Sequence, residues 1–212
     1  MISNAAHSFP AALFSILVLG CCSPGVDRKI NTSPDVPQIT LEPEVRHDEW
    51  KDCGGQLENH ACNFEFNDQY GDGWELYDHY GDIIVLDFSA VWCGVCQYVA
   101  KDMQSFYDEY QDKGVTWVTV LLQDLQGMPV STEEALEWSQ IFGIVTSPVL
   151  AGDVSIADPN EEGSFPVQAL PTIIILDRDM VVSHVMNGWN ESRVRNYLSG
   201  MLDAEKEASP DH

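Results

Sequence analysis

The sequence predicts an α/β fold built on a central mixed β-sheet flanked by helices. Apolar, β-branched runs at residues 83–88, 115–122 and 172–176 are typical of strands that are buried on both faces. Between these runs, apolar residues recur at helical spacing, which predicts helices. The resulting order, strand–helix–strand–helix–strand–strand–helix, predicts parallel crossovers first and a hairpin last.

The first elements follow from local patterns. Residues 63–66 predict a short strand, and the Tyr-Gly-Asp-Gly sequence at residues 70–73 predicts a turn. Strand 83–88 leads into a helix whose apolar positions are Cys96, Val99, Met103, Phe106 and Tyr110.

The second half contains an additional helix and strand. Ser131 and Glu134 have the spacing of a capping box, and the helix that they open stops at Gly143. Its apolar positions are Leu136, Trp138, Ile141 and Phe142. Residues 148–150 predict a short strand, and Asn190 is placed to cap the last helix.

Composition limits the class of protein. The 212 residues include 34 Asp and Glu but 10 Lys and Arg, a net charge of −24, which argues against nucleic acid as a partner because phosphates are repelled. With 44% hydrophobic residues, the chain as a whole is not intrinsically disordered. We predict one folded domain at residues 51–205 and an acidic tail at residues 206–212.

The N-terminal residues predict export. The apolar run at residues 11–19 is too short to span a bilayer and fits a signal peptide, although no Lys or Arg precedes Arg28. The V-L-G-C sequence that ends at Cys21 resembles the lipobox of bacterial lipoproteins. The resemblance implies a signal peptide at residues 1–20, a lipid on Cys21 and an extracytoplasmic, membrane-anchored position in the bacterial cell envelope. Proline-containing, polar residues 21–50 predict a flexible tether. For the lipid on Cys21, a plain signal peptide or a misplaced start codon is the alternative.

The motif that predicts chemistry is Cys93-Gly94-Val95-Cys96, where strand 83–88 meets the following helix. Two thiols at this spacing can close a disulfide with little backbone movement. Free N–H groups and the helix dipole favour a thiolate on Cys93, whereas Cys96 lies one turn further in. The spacing therefore predicts Cys93 as the attacking thiol and Cys96 as the resolving thiol. Half of a zinc site or two inert cysteines are the alternatives, but no second C-x-x-C follows.

The surrounding segment, L-D-F-S-A-V-W-C-G-V-C, resembles the active-site segment of thioredoxins. Trp92 precedes the attacking cysteine as in that family, Asp87 matches its buried acid, and Leu170-Pro171 resembles its cis-proline segment. The additional helix and strand before Pro171 resemble the insertion of TlpA-like redoxins, which are extracytoplasmic, membrane-anchored thiol–disulfide oxidoreductases.

The resemblance implies a thioredoxin-like fold with a helix–strand insertion before the cis-proline strand. It also implies an enzyme without cofactor or metal that acts on the thiols or disulfides of protein substrates. Asp87 would relay a proton to or from Cys96, and Trp92, Leu170 and Pro171 would bind the substrate. The lysine that pairs with the acid in thioredoxins is absent from residues 117–122. A strand residue satisfied by local hydrogen bonds is the alternative interpretation of Asp87.

Another pair of cysteines, Cys53 and Cys62, flanks a polar loop near the start of the domain. In an oxidising compartment a structural disulfide is the first interpretation. A zinc site that includes His60 is the alternative, although no fourth ligand is apparent.

Two other functions stay open. A peroxiredoxin has a similar fold, but that family has Thr or Ser three residues before its peroxidatic cysteine, where this chain has Ala90. A copper-delivery protein like the Sco family would use two cysteines and a distal histidine, here His184, but its motif is C-x-x-x-C.

Charge predicts the direction of electron transfer. The strong oxidants of the superfamily have His beside the resolving cysteine, where this chain has Val95, and the first cation after the motif is Lys101. The many carboxylates further disfavour a thiolate on Cys93. We therefore predict a reductant of exported protein disulfides that receives electrons from a membrane donor.

Overall fold

A computed structural model describes Trp50 and residues 52–208. The predicted signal peptide, the lipidation site Cys21 and the tether up to residue 49 lie outside the described residues. Trp50, at the end of the predicted tether, stacks on His60 with ring centroids 4.1 Å apart.

The described chain has the predicted buried strands and helices, but three strands, not the two of the predicted order, lie between the second and third α-helices. The strands are β1 (Glu65–Asn67), β2 (Gly73–Glu75), β3 (Ile83–Ser89), β4 (Val115–Leu121), β5 (Val149–Ala151), β6 (Thr172–Leu176) and β7 (Val182–Asn187). The α-helices are α1 (Gly94–Tyr110), α2 (Thr132–Phe142) and α3 (Glu191–Ala208).

Five strands form the central sheet in the order β5-β4-β3-β6-β7. β3, β4 and β5 are parallel, whereas β6 is antiparallel to both β3 and β7. β1 and β2 form a separate antiparallel hairpin. The mixed sheet, with α2 and β5 inserted before β6, confirms the predicted fold class.

The central strands are apolar at nearly every position because both faces of the sheet are covered. Side chains alternate along β3, so Ile83 and Val85 face the core that includes α1, α2 and α3. Ile84 and Leu86 face a second core. Residues before β3, among them Trp74 and Leu76, and Phe165 help to close it. All three helices therefore pack on the same face of the sheet.

The helix boundaries follow the predicted capping signals. The Ser131 hydroxyl accepts the Glu134 N–H, and the Glu134 carboxylate accepts the Ser131 N–H at 2.9 Å, which completes the capping box. α2 ends at Gly143, whose φ of 69° is in the left-handed region that glycine favours. The Asn190 side chain accepts the Arg193 N–H at 2.9 Å at the start of α3.

Three details differ from the sequence prediction. β2 was not expected, since Gly73–Glu75 directly follows a turn signal. Ile141 is 65% exposed, because the buried stripe of α2 runs through Ala135, Trp138 and Ser139 instead. α3 continues to Ala208, so the first residues of the predicted tail are helical; their A-E-K-E-A sequence consists of strong helix formers.

Candidate active site

The C-x-x-C motif lies where β3 passes into α1. Cys93 is the N-cap of α1, and its Sγ accepts the N–H of Cys96 at 3.2 Å. The N–H of Cys93 itself donates to the carbonyl of Ala90 at 3.0 Å, which fixes the turn before the helix. Sulfur at a helix N-terminus faces N–H donors and the positive end of the dipole, so this position stabilises a thiolate.

Cys93 and Cys96 form a disulfide with their Cα atoms 5.2 Å apart. Cys93 is 5% exposed and Cys96 is fully buried, so the first thiol is less exposed than its place at the helix start suggested. The exposed side chains at this turn are instead Trp92 and Val95, at 50% and 52%. The exposed side chains beside Cys93 are therefore those of Trp92 and Val95, while Cys96 is closed to solvent.

Asp87 is a buried acid on the same face of the sheet as the cysteines. It is 2% exposed, and strand alternation places it with Val85, in the core that contains Cys96. Burial raises the pKa of Asp87 from 3.8 to about 7, and the hydroxyl of Ser89, which donates to Oδ1 at 2.8 Å, partly opposes this rise. At neutral pH the carboxyl can therefore both give and accept a proton.

The position beside Asp87 on β4 is occupied by Thr119. These two residues are partners in the parallel register, and Thr119 is also buried. A buried threonine brings no positive charge to the carboxyl, which agrees with the raised pKa of Asp87. Ser89 is thus a polar partner of Asp87 that the sequence analysis missed. It could have been found, because residues two apart in a strand lie on the same face of the sheet.

Trp92 is held by a residue from the loop after β4. Its Nε1 donates to Oε1 of Gln123 at 3.2 Å, and the backbone carbonyl of Gln123 accepts the Val91 N–H at 2.9 Å. Gln123 was missed because it is 31 residues away in sequence. The Leu170–Pro171 peptide bond is cis, and Leu170 lines a cavity together with Trp92. Trp92 and Leu170 therefore line one cavity, whereas Pro171 is buried and does not line it.

The other predicted sites lie apart from this surface. Cys53 and Cys62 form a disulfide with Cα atoms 4.8 Å apart, and His60 stacks on Trp50, so these residues are not arranged as a zinc site. His184 packs against Tyr197, with ring centroids 3.7 Å apart. Among residues 50 and 52–208, no group of three His, Cys, Asp or Glu side chains is placed to hold a metal, and copper delivery gains no support from them.

Comparison with known proteins identifies the family. The model of the AhpC/TSA family matches residues 57–185, which is more than half of the chain. The chain belongs to the AhpC/TSA family. The thiol–disulfide oxidoreductase ResA of Bacillus cereus is 27% identical over 145 residues, 68% of this chain and 77% of that protein.

Solved structures share the fold at low sequence identity. A thiol:disulfide interchange protein from Chlorobium tepidum has a TM-score of 0.56 at 17% identity and covers 69% of this chain and 98% of its own. A yeast mitochondrial 1-Cys peroxiredoxin also has a TM-score of 0.56 at 17% identity, over 72% of this chain and 79% of its own. With the family match, these findings show a TlpA-like redoxin with a thioredoxin-like fold, and the enzyme is a thiol–disulfide oxidoreductase.

Proposed function

We propose that this oxidoreductase is anchored outside the cytoplasm by a lipid on Cys21 and reduces disulfides of exported proteins with its Cys93–Cys96 dithiol. The observation that carries the proposal is the N-cap position of Cys93, whose sulfur accepts the N–H of Cys96 while Cys96 itself is buried. This asymmetry suits one thiol for attack on a substrate and the other for resolution.

The reaction needs only the dithiol and a proton acceptor. The Cys93 thiolate attacks one sulfur of the substrate disulfide, forming a mixed disulfide and releasing the other sulfur as a thiolate. Cys96 then loses its proton to the Asp87 carboxylate and attacks the sulfur of Cys93. This step releases the second substrate sulfur as a thiolate and leaves the Cys93–Cys96 disulfide. Two electrons pass to the substrate. A membrane donor returns two electrons to the enzyme, and the proton held by Asp87 goes back to Cys96, which restores the Cys93 thiolate and the Cys96 thiol.

We assign substrate binding to the surface formed by Trp92 and Leu170, with the buried cis Pro171 following Leu170 in the chain. Trp92 is half-exposed and Leu170 lines the same cavity, so an extended chain can lie between them with its disulfide at Cys93. We assign the backbone of Leu170 to pair with this chain, which is recognition by strand addition.

The direction of transfer follows from the charges near Cys93. The sequence has no Lys or Arg between residues 52 and 100. Arg178 binds the carbonyls of Gly81 and Gly114, which precede β3 and β4, and thus lies at the opposite end of the sheet from Cys93. The Cys93 thiolate is therefore stabilised mainly by helix α1. A less stabilised thiolate makes the disulfide harder to reduce and the dithiol a better reductant.

The location is supported by the N-terminal sequence, in which an apolar run precedes Cys21. In the part of the chain that the structure describes, no helix has the length and apolar character needed to cross a bilayer. Attachment through a lipid would keep the domain near a membrane-bound electron donor.

Two measurements test the proposal. The potential of the Cys93–Cys96 couple, equilibrated with glutathione, should lie near the value of about −270 mV found for thioredoxin; a value near the roughly −120 mV of strong oxidants contradicts the reductant role. Cys96→Ala should accumulate mixed disulfides with substrate proteins in cells, because the resolving thiol is gone, whereas Cys93→Ala should form none. Equal trapping by both variants contradicts the assigned roles.

A peroxidase is the second enzymatic interpretation, and the structure gives little support for it. Ala90 places no hydroxyl three residues before Cys93, where peroxiredoxins have Thr or Ser. The likeness to the yeast peroxiredoxin is one of fold. Turnover of hydrogen peroxide by the reduced enzyme at a rate above that of its disulfide reduction would favour the peroxidase.

A further inference from the structure

A groove of about 510 Å³ is lined by Trp92, which directly precedes the reactive cysteine in the chain, and by Leu170. Its other apolar lining residues include Leu122, Val154 and Val167. Val154 is exposed, so a segment bound in the groove can bury its apolar side chain. Cys93 itself does not line the groove, but Trp92 borders it, so the groove fits a side chain next to the disulfide being attacked.

One wall of the groove belongs to the connection between β5 and β6. It contains a 3₁₀-helix, Val154–Ala157, flanked by Asp153 and Asp158. The Asp153 carboxylate accepts the Ser155 N–H at 2.6 Å, which caps this helix. The Asp158 carboxylate accepts the backbone N–H of Asn160 at 2.9 Å, which lowers the pKa of Asp158 so that it stays ionised. Asp158 therefore lines the groove as a fixed anion, and Asp153 directly precedes the lining residue Val154.

The stretch of chain that lines most of the groove is acidic. Residues 114–177 contain nine Asp and Glu but no Lys or Arg, and they supply all of the groove lining except Trp92. The cation that follows them, Arg178, lies at the opposite end of the sheet from Cys93, as described above. A groove lined by one sign of charge attracts the opposite sign and repels its own.

We propose that the groove selects extended polypeptide segments that carry an apolar side chain beside the disulfide and Lys or Arg at the neighbouring positions. This inference rests on the proposed function and names its substrate class. The apolar side chain is buried against Val154 and Val167, while Asp153 and Asp158 attract the substrate cations. Acidic segments, and the anionic tripeptide glutathione, are disfavoured by the same charges.

The test uses peptides that differ in charge alone. Each contains one intramolecular disulfide with a leucine beside the first cysteine, and two flanking positions are Lys, Gln or Glu. The reduced enzyme is mixed with each peptide, the reaction is quenched with acid, and the reduced peptide is quantified by reversed-phase chromatography. At low ionic strength we expect the Lys peptide to be reduced about tenfold faster than the Glu peptide, with a smaller ratio in about 0.5 M NaCl.

Variants assign the selectivity to the groove. In Asp153→Asn/Asp158→Asn each side chain keeps an oxygen that can accept the turn N–H, so the charge is removed and the turn retained. The Lys-to-Glu rate ratio should fall to within about twofold. The matched control Asp78→Asn/Asp112→Asn removes two exposed carboxylates that precede β3 and β4, and should keep the roughly tenfold ratio.

The outcomes distinguish failure of the proposed substrate class from failure of the proposed reductase function. Equal rates for the three peptides, or a ratio that persists in the groove variant, overturn the substrate class and leave the reductase activity in place. Failure of the wild type to reduce any of the three peptides contradicts the proposed function and the inference with it.

Discussion

Replacing Asp87 by asparagine should remove a pH-dependent cost of folding. Burial raises the pKa of this carboxyl from 3.8 to about 7 in the folded protein. Between these values the folded chain holds a proton that the unfolded chain has lost, so the free energy of unfolding falls as the pH rises. Below about pH 4 both states are protonated, and above about pH 8 both are ionised, so the dependence is confined to this window.

The magnitude follows from the two pKa values. At about 1.36 kcal/mol per pKa unit, the full cost of ionising the buried carboxyl is about 4 kcal/mol. About 2.5 kcal/mol of this falls between about pH 5 and pH 8, a range in which the assay is practical. Asparagine is similar in shape, cannot ionise, and its amide oxygen can accept the hydrogen bond that Ser89 donates to Asp87.

The assay is equilibrium urea unfolding of the oxidised wild type and of Asp87→Asn at about pH 5, 6.5 and 8. Every other titrating group is common to both proteins and cancels in the difference between them. The difference should shift in favour of the variant by about 2.5 kcal/mol between the lowest and the highest pH. Parallel pH profiles would refute the conclusion that the carboxyl is buried without a compensating charge.

Three further predictions concern other residues. In Ser89→Ala the loss of unfolding free energy that Asp87 ionisation causes should extend to higher pH, since the hydrogen bond that lowers the pKa of this carboxyl is lost; an unchanged pH dependence contradicts it. Cys53→Ala/Cys62→Ala should reduce the free energy of unfolding by about 2.5 kcal/mol, measured in urea, because the closed loop is short; no loss of stability would show that the bridge is dispensable. Cys21→Ser should move the protein from membrane to soluble fractions, and unchanged partition counts against the anchor.

Local sequence patterns were sufficient for the elements that position the site. The apolar run of β3 and the helical spacing after Cys96 placed the motif at a strand-to-helix junction, where the structure has it. The Ser131–Glu134 capping box located the start of α2. Such signals are readable because the groups that interact are a few residues apart in the chain.

The hairpin strand β2 could not be read in this way. Gly73–Glu75 is short and follows a turn, and its strand conformation depends on pairing with β1. Ile141 shows the same limit, since the helical period marks it as apolar but only packing decides which side of α2 is covered.

Some properties of the site also follow from local sequence, and others depend on packing. The sequence by itself predicted which thiols would take part and, through the resemblance to thioredoxins, which acid, because the C-x-x-C motif and Asp87 belong to one short segment. The tertiary structure decided the raised pKa of Asp87, the support of Trp92 by Gln123, and the acidic wall at Asp158 beside the groove. Desolvation and contacts across tens of residues arise only when the packed sheet brings distant segments together, and no local pattern encodes them.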